Sequence, residues 1–294
     1  MLLLTLNLAT AQQRMISEDR ELKELDLTGW DCKDAPGGSA KTDDGVERNK
    51  GKNRAPVSLN GLNIGRLDTA GFLREVGAFD AQTKGKRRKD LGAAQAAQLK
   101  ELEQKVVSLT GYLVLMYAGP PESTNCGSVD YHDWHLEVFE KPLDHSPGPG
   151  DPTPIICEIT PRTQTAIFRD GTRLQKLAGF FRHPDMEVEK LAQKPQRVRV
   201  TGYLLWDDEH NGSADVGTTV QKIVGRYKFH QPWRSTAWEI HPVMKLEPAE
   251  GGAFSPSALE QSPTAGPAAT APSATVAAPL QEVTLVKPVK VKIR

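Results

Sequence analysis

Cysteine is scarce in this 294-residue chain. Cys32, Cys126 and Cys157 are its only three, too few for a disulfide scaffold and without a Cys-x-x-Cys pair. Aromatic residues make up only 6% and hydrophobic residues 38%, beside 25 glycines and 21 prolines, so much of the chain is not packed core. Neither sign of charge is in excess. The 37 Lys+Arg and 37 Asp+Glu cancel, which argues against a dedicated, non-specific nucleic-acid binder but leaves room for a local basic patch. No apolar run approaches the roughly 20 residues that span a bilayer, which excludes a polytopic membrane protein. Gly37-Gly38-Ser39-Ala40-Lys41-Thr42 imitates a phosphate loop but lacks the glycine before the lysine. No His-Glu-x-x-His, Gly-x-Ser-x-Gly or Gly-x-Gly-x-x-Gly occurs, so serine-based nucleophilic catalysis has no support.

What is present divides the chain by composition. Residues 1–11 read as the end of a truncated secretory signal peptide. Leu2 to Leu8 are mostly apolar and Ala9-x-Ala11 offers the small residues of a cleavage site, while the positive n-region is missing. The expectation is a periplasmic or secreted bacterial protein. Export implies one disulfide and one spare thiol, with Cys126–Cys157 favoured because both flank strands of one domain. Residues 12–105 form a polar, partly disordered or helical region. Asp34-Ala35-Pro36-Gly37-Gly38, Asp43-Asp44-Gly45 and Lys50-Gly51-Lys52-Asn53 mark turns or disorder, and a helix is predicted from Asp90 on the spacing of Leu99, Leu102 and Val106. Two basic clusters lie there: Arg48, Lys50, Lys52 and Arg54, then Lys84, Lys86, Arg87, Arg88 and Lys89. A solvated disordered face is their first reading. Contact with an anionic polymer at Arg48, Arg54, Lys86, Arg87 and Arg88 is the second.

Residues 106–246 carry a β signal. Val106–Tyr117 and Val198–Trp206 are rich in branched and aromatic residues, and both contain Thr-Gly-Tyr-Leu; a glycine inside a strand marks a bulge or barrel corner. Trp134–Glu140, Ile155–Ile159 and Ser235–Ile240 are further strands, with helical patterns over Arg173–Phe181 and Asp185–Ala192. The predicted fold is mainly β with minor α, a small OB-like β-barrel. Residues 247–282 form a Pro/Ala-rich low-complexity linker, and residues 283–294 a basic β-like tail.

Acid–histidine pairs recur in this domain. Strand alternation puts Asp133, His135 and Glu137 opposite Trp134, Leu136 and Val138, and Glu239 and His241 opposite Trp238 and Ile240. Asp207 to His210 forms another cluster, and Glu158 sits in an apolar run. Imidazole with carboxylate suits zinc, iron or manganese, and a metal-bound water permits hydrolysis. A structural polar network is the competing reading. The tryptophans are expected in the core or at the rim of the barrel, with stacking on a sugar as the alternative.

The segments His132-Asp133-Trp134-His135-Leu136-Glu137-Val138, Val200–His210 and Trp238-Glu239-Ile240-His241-Pro242-Val243 resemble those of a group of uncharacterised bacterial proteins. That group has no established activity. The resemblance covers about half the chain, implies one domain that groups these acid–His segments, and assigns no reaction. The expectation is a divalent-metal-binding domain with metal-assisted hydrolase activity, Asp133, His135, Glu239 and His241 as ligands, and Asp207 and His210 in proton transfer. The alternative is a non-catalytic OB-like binding module for an oligosaccharide, peptide or nucleic acid. A structural or assembly protein is a third possibility.

Overall fold

Two long strands with a glycine in the middle organise the molecule. The computed structural model describes residues 21–22, 24–168, 172–184, 187–225 and 228–249. The signal-like residues 1–11, the tail 283–294 and nearly all of the Pro/Ala-rich linker lie outside them. The described residues belong to one unit, Met1–Gly251. They run through β1 (Glu21–Leu22), α1 (Asp43–Lys52), β2 (Gly65–Asp68), α2 (Thr69–Thr83), α3 (Ala93–Glu103), β3 (Val106–Ala118), β4 (Trp134–Phe139) and β5 (Ile155–Ile159). There follow α4 (Pro161–Ile167), β6 (Thr172–Arg173), β7 (Phe180–Arg182), β8 (Val188–Lys190), β9 (Arg197–Trp206), β10 (Lys222–Val224), β11 (Phe229–Gln231) and β12 (Trp238–Pro248).

The sheet closes on itself in the order β3-β4-β5-β12-β9-β3, a five-stranded OB-like barrel. All its pairings are antiparallel except β5 with β12. Strand β3 can serve two neighbours because of its length: its first half pairs with β9 and its second half with β4. The glycines permit the close approach that closure demands. A Cβ on Gly202 would meet the carbonyl oxygen of Pro242 at 2.4 Å, and one on Gly111 would meet that of Phe139 at 2.7 Å. One apolar cluster draws on all five barrel strands, with Leu109, Leu136, Cys157, Leu204 and Ile240 among its members. Phe72, Val76 and Phe79 of α2 join it at helical spacing, and Phe79 lies edge-on to Trp206 and Trp238 at 5.2 and 5.3 Å.

Several local expectations need correction. The polar stretch 12–89 contains two capped helices rather than turns alone. The Thr42 hydroxyl accepts from the Gly45 amide to start α1, and the Asp68 carboxylate accepts from the Gly71 amide to start α2. The later helix begins at Ala93, because Asp90 belongs to a 3-10 turn, and Val106 opens β3. Arg173–Phe181 holds one 3-10 turn between β6 and β7, and Asp185–Ala192 contains β8 rather than a helix. Pairing of β7 with β3 on one side and β8 on the other overrides the helical pattern. The disulfide joins Cys32 to Cys126, with Cα atoms 5.6 Å apart, not Cys126 to Cys157. Alternation along β5 turns Cys157 into the apolar core with Ile155 and Ile159, where no other cysteine reaches it. Among the described residues, no helix is long and apolar enough to cross a membrane.

Candidate functional site

Both faces of β4 and β5 are buried along their whole length. One face is the apolar core; the other carries charge. The register sets His135 of β4 opposite Glu158 of β5, and the parallel pairing of Ile240 with Cys157 brings Glu239 and His241 of β12 beside them. Glu158 is the hub. One of its carboxylate oxygens lies 3.1 Å from His135 Nε2 and the other 3.1 Å from His241 Nδ1. His241 Nδ1 is also 3.0 Å from Glu239 Oε1, and its Nε2 is 3.7 Å from Asp133 Oδ2. The four residues expected as ligands therefore lie in one group, with Glu158 between them.

Cations from elsewhere in the chain complete the group. Arg234 donates to Glu239 at 2.6 Å, and Lys52 of α1 reaches Asp207 at 2.9 Å and Glu239 at 3.6 Å. This overturns the reading of the first basic cluster as a solvated face for all its members but Lys50, which is exposed. Arg48 is buried against Asp208 and Glu209, at 3.3 and 2.8 Å. Arg88 is buried against Asp208 and Glu103. Arg54 donates to the carbonyls of Glu103, Leu204 and His241, while Lys86 donates to Gln95. Arg48 and Arg88 thus cannot present their charge to a polymer, because buried carboxylates already hold it. Arg87 keeps only partial exposure.

Asp207 and His210, the pair expected in proton transfer, differ in burial, and the charge of His210 acts on Asp207 after that of Lys52. Asp207 is buried among Lys52, Arg234 and Arg48; burial opposes its charge, but these cations hold its carboxyl well below the usual range. His210 stands at the surface, its Nδ1 3.5 Å from Asp215 and its ring edge-on to Trp233 at 4.9 Å.

A cavity of about 270 Å³ opens over the charged face. Glu122 from the β3–β4 loop, His135, Tyr117, His210, Phe229 and Trp233 are among the residues that line it. Burial raises Glu122 to about 7, with nearby Glu158 adding to the effect and Lys52 opposing it. Burial opposes the charge on His135, yet the charge and hydrogen bond of Glu158 outweigh it and push the imidazole up to about 9. The two side chains are 3.9 Å apart at their nearest polar atoms. His135 also stacks on Tyr117, with ring centroids 4.9 Å apart. Beside them Glu137 and His230, both buried, face each other at 3.4 Å, and Arg182 lies 3.5 Å from His230.

The sequence reading did not assign Glu122, Glu158, Lys52, Arg234 or Trp233 to the site. Glu158 had a signal, a lone carboxylate within an apolar run. Lys52 had none, since its partners are remote in sequence, and Arg234, though only five residues from Glu239, lies in no recognisable motif. The chain matches no protein-family model, no curated protein and no solved structure.

Proposed function

We propose that this is an OB-like binding domain that takes a small, neutral, hydroxyl-bearing ligand, such as one unit of an oligosaccharide, into the cavity beside His135. The position of that cavity carries the reading. It lies over β4, the second barrel strand, between the β3–β4 loop and the β9–β12 connection, where OB barrels take oligosaccharides and oligonucleotides. Its chemistry favours a sugar over a phosphate chain. Among the described residues that line it none is Lys or Arg, while Tyr117, Phe229 and Trp233 offer aromatic surface and Glu122 and Asp215 offer acceptors for hydroxyls.

The test is a titration of tryptophan emission with neutral cello-, xylo- and chito-oligosaccharides at low and high salt. Saturable, salt-insensitive quenching that disappears in Trp233→Ala supports the reading. Steep salt dependence with oligonucleotides, and no response to sugars, overturns it.

A second reading adds hydrolysis, and the pairing of Glu122 with His135 favours it. A carboxyl near 7 beside an imidazole near 9 can hold and release a proton around neutral pH. Reducing-end release that falls at least about 100-fold in Glu122→Gln, with sugar affinity kept, supports this addition. Equal release in both proteins removes it. The Cys32–Cys126 disulfide suits an oxidising compartment, so the reading includes residence in the periplasm or outside the cell.

A further inference from the structure

The charged face contains an arrangement that a structural polar network does not account for. Asp133, Glu158 and His241 are buried, at 1%, 1% and 0% exposure, and each offers one ligand atom within 4.8 Å of the others. Each also has its second polar atom held by a neighbour. Asn125 Nδ2 donates to Asp133 Oδ1 at 3.0 Å, His135 Nε2 lies 3.1 Å from Glu158 Oε1, and Glu239 Oε1 lies 3.0 Å from His241 Nδ1. The atoms left over, Asp133 Oδ2, Glu158 Oε2 and His241 Nε2, have no hydrogen-bond partner. Glu158 Oε2 comes within 3.1 Å of His241 Nδ1 without making a hydrogen bond there. Three side chains, each oriented by an outer partner and each presenting one unsatisfied donor atom, form the two-layered pattern of a metal centre. The Glu239–His241 contact would fix the imidazole tautomer with its proton on Nδ1 and its lone pair on Nε2.

We infer that Asp133, Glu158 and His241 bind one first-row divalent cation, with zinc as the best fit, deep in the charged face. The imidazole favours zinc, while the two carboxylates also admit manganese(II); calcium and magnesium take oxygen and water. The size is right: bonds of ~2.0–2.2 Å set neighbouring ligand atoms of a tetrahedral ion about 3.4 Å apart, and His241 Nε2 and Asp133 Oδ2 are 3.7 Å apart. Lys52 and Arg234 pair with Asp207 and Glu239 rather than with these three ligands. Three protein ligands leave a fourth position of a tetrahedral ion for water, but none of the three lines the cavity, so the ion's role is to hold the charged face together rather than to meet a ligand bound there. Bound there, the ion would tie the β3–β4 loop, through Asp133, to β5 and β12. This inference does not depend on the sugar reading, because no ligand residue of the ion lines the cavity.

The experiment uses the full chain, stripped with a chelator and titrated with zinc, then manganese(II), with magnesium and calcium as controls. One zinc per chain, a rise in thermal midpoint, and loss of at least about tenfold in affinity in both Asp133→Asn and His241→Gln are expected. Trp233→Ala should bind zinc as the wild type does, which separates a failure here from a failure of the sugar reading. No zinc or manganese uptake by folded wild-type chain overturns the inference, as does uptake that both variants retain. If the variants do not fold, X-ray absorption on the zinc-loaded wild type decides. A shell of oxygen with one imidazole supports the site; sulfur or a second imidazole overturns it.

Discussion

The two faces of β4, β5 and the first part of β12 are both buried and are stabilised in opposite ways. On one, Leu136, Val138, Cys157, Trp238 and Ile240 share the apolar cluster, where contact is non-directional and neighbours can partly relax around a change. On the other, His135, Glu137, Glu158, Glu239 and His241 depend on each other's charge, so removal of one leaves another buried without its partner. A buried charged face contributes less to stability than its many close contacts suggest. Its members are instead held in definite orientations, as a binding site requires.

The comparison breaks most visibly at Glu239. Glu239→Ala strands Arg234, which is fully buried, and the loss should be roughly 3–5 kcal/mol by urea denaturation. Leu136→Ala on the opposite face should cost about 2–4 kcal/mol, the cavity term included. If Glu239→Ala costs less than half of what Leu136→Ala costs, the charged face is wetter than its burial implies.

A smaller effect concerns pH. Burial, against the opposing charges of Arg182 and His135, raises Glu137 to about 8, whereas the unfolded chain titrates near 4.5. Its contribution is therefore fully present below pH 4.5 and is lost as pH rises through about 8. His230 has the opposite sign. Burial and Arg182 depress it to about 3, so its contribution is present above pH 6.5 and lost as pH falls toward 3. The thermal midpoint of the wild type should fall relative to that of Glu137→Gln between pH 5 and 8. Parallel profiles would show that Glu137 ionises freely in the folded state. The smallest effect belongs to the exposed Lys105–Glu75 pair, where Glu75→Ala should change stability by less than about 1 kcal/mol.

Much of the barrel was legible in the sequence. Ile155–Ile159 is β5 as expected, and β3 and β9 match their expected spans to within a residue at each end. The glycine in the repeated Thr-Gly-Tyr-Leu is where strands approach too closely for a Cβ. That Asp133 and His135 share one face of their segment, and Glu239 and His241 one face of theirs, followed from alternation, because a period of two holds whatever covers the strand; that β5 brings the two pairs together did not. What covers it was not legible. Helix α1 has no apolar stripe, and its buried residues are Gly45, Arg48, Asn49 and Lys52. These have the 3–4 residue spacing of a packed helix, written in polar residues, so a search for hydrophobic periodicity passes over them.

By itself, then, the sequence determined the OB-like barrel and the strand faces on which its acids and histidines stand, since glycine and alternation act within a few residues. Only the tertiary structure decided that Cys32 meets Cys126, that Glu158 is the hub, and that Lys52, Arg48, Arg88 and Arg234 turn inward. A lysine or arginine beside water and one beside a buried carboxylate have the same local sequence. For Lys52 the carboxylate that distinguishes them is Asp207, 155 residues away by their numbering, and for Arg234 it is Glu239, near in sequence but turned toward it only by the fold.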